Sequence, residues 1–203
     1  QDAGFSIVTY AGSGSASTVG HGLEDTPDVI IFKNRSAANV WATYHQGLGN
    51  NLKLELNSTN AQDSDGSFMN GTLPTSSVFT VGASVNTNGS GSNYVAYCFA
   101  EKQGYSKFGK YVANSSTDNT FVYLGFRPAC VIIKCLFAAS NWRIFDHKRL
   151  GYNVSNSKLY PNLSNAEGTA TEIDFLSNGF KIRSRDTDVG NNDAGGYIYM
   201  AFA

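Results

Sequence analysis

Two short acidic runs carry the most chemistry in this chain. Asp63-Ser64-Asp65-Gly66-Ser67 is one; Asp186-Thr187-Asp188, followed by Asn191-Asn192-Asp193, is the other. Alternating oxygen-bearing side chains suit a hard cation such as Ca²⁺, but the twelve-residue loop closed by a glutamate is absent from both. The expectation is therefore solvated loops, with a weak Ca²⁺ site or a polar receptor contact as the alternative. No metal and no cofactor is assigned. A third candidate pairs an aromatic ring with a polar group. His45 lies four residues after Trp41, and Asp146 four after Trp142, so on a strand each pair shares a face. A hydrogen-bonded polar residue at the rim of a sheet is the expected role of His45 and Asp146. A sugar or receptor contact beside a tryptophan platform is the alternative. There is no Gly-x-Ser-x-Gly elbow, no Gly-rich loop ending in Lys-Ser/Thr and no His-Glu-x-x-His. No catalytic residue is assigned, and the chain is expected not to be an enzyme.

The elements that position these residues follow from composition. Only 15% of the residues are charged, with 15 Lys+Arg against 16 Asp+Glu and a net charge of -1. That balance argues against nucleic acid as a partner, because such domains carry a basic face. A hydrophobic fraction of 41% argues against disorder. No apolar run approaches the roughly 18 residues of a membrane-spanning helix, so no membrane insertion is expected. Gln1 and the lack of a signal-peptide pattern read as a processed chain or a piece of something longer.

The chain repeats itself. Pro27-Asp28-Val29-Ile30-Ile31-Phe32-Lys33 returns as Pro128-Ala129-Cys130-Val131-Ile132-Ile133-Lys134, at an offset of 101. At that offset Trp41 falls on Trp142, Tyr44 on Phe145, His45 on Asp146 and Phe79 on Phe180. With small shifts inside polar loops, Asn57 returns as Asn162 and Phe99-Ala100 as Phe202-Ala203. Residues 1–103 and 104–203 are therefore expected to be two copies of one unit. Trp41, Trp142, Pro27, Pro128, Asn57, Asn162, Phe99 and Phe202 are read as structural anchors, the tryptophans in the core and the asparagines capping turns. The first half holds 4 basic and 8 acidic residues, the second 11 and 8. Opposite signs favour contact between halves or subunits, and drift of surface charge is the alternative. His21 falls on Leu124, so it reads as structural rather than as a base.

Short runs rich in Val, Ile, Thr, Tyr and Phe, bounded by Gly, Asn and Ser, predict strands. In the first copy they fall near 5–10, 28–34, 39–45, 52–57, 77–82 and 93–100. In the second they fall near 106–111, 120–124, 130–136, 141–146, 156–160, 172–175, 179–183 and 196–202. No segment sustains a 3.6-residue period. The fold expected is all-β: two tandem related β-sandwich (jelly-roll-like) units packed together, with few or no helices. Val29-Ile30-Ile31-Phe32 is apolar on both faces and predicts a central strand. Cys98, Cys130 and Cys135 sit in such runs and are expected to be buried free thiols.

Several long motifs carry a resemblance. Gly4-Phe5-Ser6-Ile7-Val8-Thr9-Tyr10, Leu54-Glu55-Leu56-Asn57-Ser58-Thr59-Asn60-Ala61, Pro74-Thr75-Ser76-Ser77-Val78-Phe79-Thr80-Val81-Gly82 and Asn93-Tyr94-Val95-Ala96-Tyr97-Cys98-Phe99-Ala100-Glu101 are among them, with Tyr197-Ile198-Tyr199-Met200-Ala201-Phe202-Ala203. Together they resemble a duplicated domain of uncharacterised function in tail-fibre and other virion surface proteins of marine tailed bacteriophages. The resemblance implies an extracellular, virion-surface location and a fibre or adhesin module that attaches to the host cell. It implies self-association, as a homotrimer, and partners among other virion proteins and host surface glycans or proteins. A decoration protein of the capsid or tail that touches no receptor is one alternative. A secreted bacterial adhesin, lectin or filament subunit is another. A polysaccharide depolymerase is disfavoured for want of paired carboxylates.

Overall fold

The structure is a computed structural model and describes residues 2–149, 153, 155–191 and 195–203. It forms two units, Gln1–Asn57 with Gln62–Glu101, and Ser58–Ala61 with Lys102–Ala203. The short segment Ser58–Ala61 groups with the second unit because the Thr59 carbonyl accepts the Ser140 N–H at 2.9 Å and the Lys134 ammonium at 3.5 Å. The protein is all-β, every strand pair is antiparallel, and no helix occurs among the described residues.

The first unit contains β1 (Phe5–Ala11), β2 (Ser17–Gly20), β3 (Val29–Asn34), β4 (Ala42–His45), β5 (Leu52–Glu55), β6 (Asp63–Ser64), β7 (Val78–Val81) and β8 (Asn93–Phe99). The large sheet runs β1-β8-β3-β4-β5-β6, and β2 pairs with β7. Ile30 and Phe32 of β3, Ala96 and Cys98 of β8 and Ala42 and Tyr44 of β4 meet Phe79 and Val81 of β7, with Phe68 and Met69 filling between. β3 is central, as its two apolar faces require.

The second unit contains β9 (Ser106–Tyr111), β10 (Phe121–Tyr123), β11 (Cys130–Cys135), β12 (Arg143–Asp146), β13 (Ser155–Lys158), β14 (Gly168–Leu176), β15 (Gly179–Ile182) and β16 (Tyr197–Phe202). One sheet runs β12-β11-β16-β9 and the other β10-β15-β14-β13. Val131 and Ile133, Tyr197 and Tyr199 on the first face Phe180, Ile182, Ile173 and Phe175 on the second, which is a sandwich. Cys98 and Cys135 are buried, Cys130 is half-buried, and all three are free thiols.

Equivalent side chains make equivalent contacts in the two units. Tyr10 stacks on Tyr94 at 5.4 Å and Tyr111 on Tyr197 at 5.0 Å. The Tyr10 hydroxyl donates to the Thr87 carbonyl and the Tyr111 hydroxyl to that of Val189. The Trp41 N–H donates to Asn57 Oδ1 at 2.9 Å, and the Trp142 N–H to Asn162 Oδ1 at 3.0 Å. The tryptophans differ in depth. Trp142 is buried, whereas Trp41 is half-buried, its ring 6.3 Å from that of Tyr97 with the Lys33 ammonium 5.8 Å away.

Three strand assignments differ from the sequence expectation. β2 and β6 were not expected, and β14 begins at Gly168 rather than near 172. Ser17-Thr18-Val19-Gly20, Asp63-Ser64 and Gly168-Thr169-Ala170-Thr171 lack large apolar residues. Pairing with β7, β5 and β13 makes them strands, and no local hydrophobic pattern announces it.

Lys134 is fully buried in β11, bonded to the Cys135 carbonyl and Ser140 Oγ as well as Thr59. Burial pulls its pKa down from 10.5 to about 8. The folded state therefore gives up this proton before the unfolded chain does. Its contribution to stability rises with pH between about 8 and 10.5, and is lost as pH falls through about 8. Urea denaturation at about pH 7.5 and about pH 10 should show wild type gaining stability relative to Lys134→Met. A difference between the two proteins that does not change with pH would contradict this account.

Candidate functional site

An open cleft of about 480 Å³ lies in the first unit, where β3 starts beside the end of β4. Thr26, Pro27 and Asp28 form one side. Tyr44 at the end of β4, Gln46, Gly49 and Asn50 of the turn after it, and Leu73 and Pro74 complete the lining. The volume falls in the range of small-molecule sites, about 300–1,000 Å³. Backbone bonds hold the rim: Asp28 N–H donates to the Phe99 carbonyl at 2.8 Å, and Gln46 N–H to the Asp28 carbonyl at 2.7 Å. Gly49 adopts φ +106°, which only glycine takes without strain, and no atom lies within 4 Å of where its Cβ would stand. The turn therefore leaves the cleft open.

The polar groups in the cleft are specific. Asp28 Oδ2 accepts the Glu101 N–H at 2.6 Å. Burial raises the Asp28 carboxyl above its usual range; that N–H opposes the rise, and the charges of Glu101 and Asp25 add to it. Tyr44 is only 4% exposed, and its hydroxyl has no hydrogen-bond partner among the described residues. Burial, and then the Asp28 charge, push that hydroxyl up to about 12.

The second unit has an opening at the equivalent place, of about 190 Å³, lined by Arg127, Pro128, Ala129, His147 and Ala203. Its backbone frame is the same: Ala129 N–H donates to the Phe202 carbonyl at 2.7 Å and His147 N–H to the Ala129 carbonyl at 3.0 Å. The anchors Pro27, Pro128, Phe99 and Phe202 thus build the rims of both openings. The chemistry has diverged on this common frame. Asp28 faces Ala129 in the alignment, Gln46 faces His147, Thr26 faces Arg127, and Tyr44 faces Phe145.

The residues singled out in sequence do not gather at either opening. His45 is fully buried and its Nδ1 accepts the Gly47 N–H at 3.0 Å, so it closes a turn and touches no surface ligand. Asp146 accepts the N–H groups of Lys148 and Arg149 and pairs with the Arg149 guanidinium at 2.6 Å. Burial raises its carboxyl, and the Arg149 bonds outweigh that and hold it below the usual range. Asp63 pairs with Lys53 at 3.0 Å, and Asp65 accepts from the Ser67 N–H and hydroxyl and from Ser84 Oγ. Asn191 Oδ1 accepts from Ser115 Oγ at 3.2 Å. Asn192 and Asp193 lie outside the described residues. No group of three or more metal-ligating side chains occurs among the described residues. His21 is buried; its Nδ1 accepts the Leu23 N–H and its Nε2 bonds the Thr75 carbonyl.

Asp188, with exposed Asp186 at its edge, belongs to a charge cluster whose other members, Arg143, Lys158 and Glu172, are buried. Arg143 of β12 pairs with Asp188 at 2.6 Å, with Asp186 at 3.5 Å and with Glu172 of β14 at 3.6 Å. Lys158 of β13 pairs with Glu172 from the other side, and the Arg143 guanidinium lies 4.5 Å from the Tyr160 ring centroid. In the first unit the places of Arg143 and Glu172 are apolar, while Lys53 stands at the place of Lys158. Ala42 follows Trp41 as Arg143 follows Trp142. The Phe68 carbonyl accepts from Gly82 as that of Glu172 accepts from Arg183. The cleft-lining residues that sequence reading missed include Tyr44, Gln46, Asn50 and Leu73. Their only trace in the sequence was that Asp28, beside the repeated Pro27, falls on Ala129, and Tyr44 on Phe145.

Fold and openings together define an all-β protein of two sandwich units. The whole chain, residues 1–203, matches the family described as a domain of unknown function (DUF7483), and it belongs to that family. No curated protein and no solved structure matches it.

Proposed function

We propose that this chain is a virion surface protein of a tailed bacteriophage, an adhesin module of a tail fibre that attaches to the host cell surface. The resemblance of the long motifs to those of marine phage fibre proteins supports the reading. The observation that carries it is the pair of equivalent openings whose rims keep the same backbone bonds while their side chains diverge. A rigid frame with variable residues at a surface opening is how binding sites are carried on β scaffolds. By the same resemblance the module assembles as a homotrimer with further virion proteins around it. Preincubating host cells with the purified chain is expected to reduce adsorption of the phage that carries it. Unchanged adsorption would favour a coat role without receptor contact, and a light-scattering mass of one 21.8 kDa chain would remove the trimer.

A further inference from the structure

We propose that the first-unit cleft binds an uncharged, hydroxyl-rich sugar unit through the Tyr44 hydroxyl and the Asp28 carboxylate, with Leu73 and the flanking prolines packing on its C–H face. The inference deepens the attachment reading and rests on it for the biological source of the sugar. The cleft chemistry stands by itself.

Four observations carry it. First, the Tyr44 side chain is buried, while its hydroxyl, which bonds no other described residue, is open to the cleft and free to bond a ligand. Second, the hydroxyl is dispensable for the fold, because the second unit has buried Phe145 at the same place. A polar atom that packing does not need, placed at a cleft, has the character of a ligand contact. Third, none of the residues lining the cleft is a cation, and Asp25 and Glu101 act on Asp28 with like charge. Anionic sugars and phosphates are therefore repelled, while sugar hydroxyls can donate to the carboxylate. Fourth, Leu73 is 53% exposed and lines the cleft with Pro74 and Pro27, which gives an amphipathic ring apolar surface to pack on.

Ligand-observed NMR with the methyl glycosides of glucose, galactose and mannose tests this directly, with glucuronic acid and glucosamine as charged comparators. At least one neutral glycoside is expected to bind, and glucuronic acid is not. Tyr44→Phe is expected to weaken binding about tenfold, one good hydrogen bond's worth, with an unchanged fold. Leu73→Ser should weaken it as well without touching a polar contact. Absence of binding by all three glycosides, equal binding by glucuronic acid, binding by glucosamine alone, or full affinity in Tyr44→Phe would each overturn the proposal. Host adsorption separates the two readings. A chain that blocks phage adsorption but binds no glycoside overturns the cleft and spares the adhesin. A chain that binds glycoside but does not block adsorption overturns the adhesin and spares the cleft.

Discussion

Replacing Glu172 with leucine is expected to destabilise the protein by about 3–5 kcal/mol, the cost of removing one partner from a buried ion pair. Glu172 is 1% exposed and sits between Lys158 and Arg143. Burial raises its carboxyl, and the two cations oppose that rise. The pairing thus offsets a desolvation penalty rather than adding a large net gain. Without Glu172, Lys158 loses its ion pair, and Arg143 keeps only Asp188 and Asp186. Arg143 already carries Nε and Nη1 with no hydrogen-bond acceptor, so it has no spare partner to turn to. Placing the first unit's pair here, Arg143→Ala with Glu172→Phe, should recover only part of the loss. Lys158 and Asp188 would still be buried without their cluster. The urea midpoint measures all three proteins, and an unchanged midpoint in Glu172→Leu would show that solvent relieves the cluster.

Phe32→Ala is expected to cost a similar amount, about 3–5 kcal/mol, by lost transfer energy and the cavity left behind. Phe32 is fully buried at the centre of the large sheet. Its ring meets Phe68 at 5.5 Å and Phe79 at 5.3 Å, both nearly perpendicular. Phe32→Ile should cost clearly less, because the second unit seats Ile133 at the equivalent place in its own core. In a chain of this length the alanine loss corresponds to a fall in Tm on the order of 10 °C. Equal losses for alanine and isoleucine would mean that edge contacts, and not volume, dominate.

Much of the frame was legible before any coordinates. The apolar runs and the glycine and asparagine turns predict an all-β fold with the Val29–Phe32 strand at a centre, and β3 sits inside its sheet. Burial and backbone pairing act on short windows, so a short window of sequence carries them. The weak strands β2 and β6 were not legible, because partners elsewhere in the chain hold them.

Sites were less legible for a related reason. The acidic runs were visible as charge, yet their carboxylates cap local turns or pair with Lys53 and Arg143. His45 was visible as a polar residue near a tryptophan, yet it is buried. By itself the sequence determined the all-β class and most of the strands, since periodicity and turn chemistry are local. Tertiary structure alone decided where ligand chemistry can occur. The cleft draws on three segments, Thr26–Asp28, Tyr44–Asn50 and Leu73–Pro74, and the charge cluster on β12, β13, β14 and the loop at Asp186–Asp188. Whether a carboxylate caps a turn, offsets a buried arginine or faces an open cleft depends on neighbours that are distant in sequence and close only in the fold.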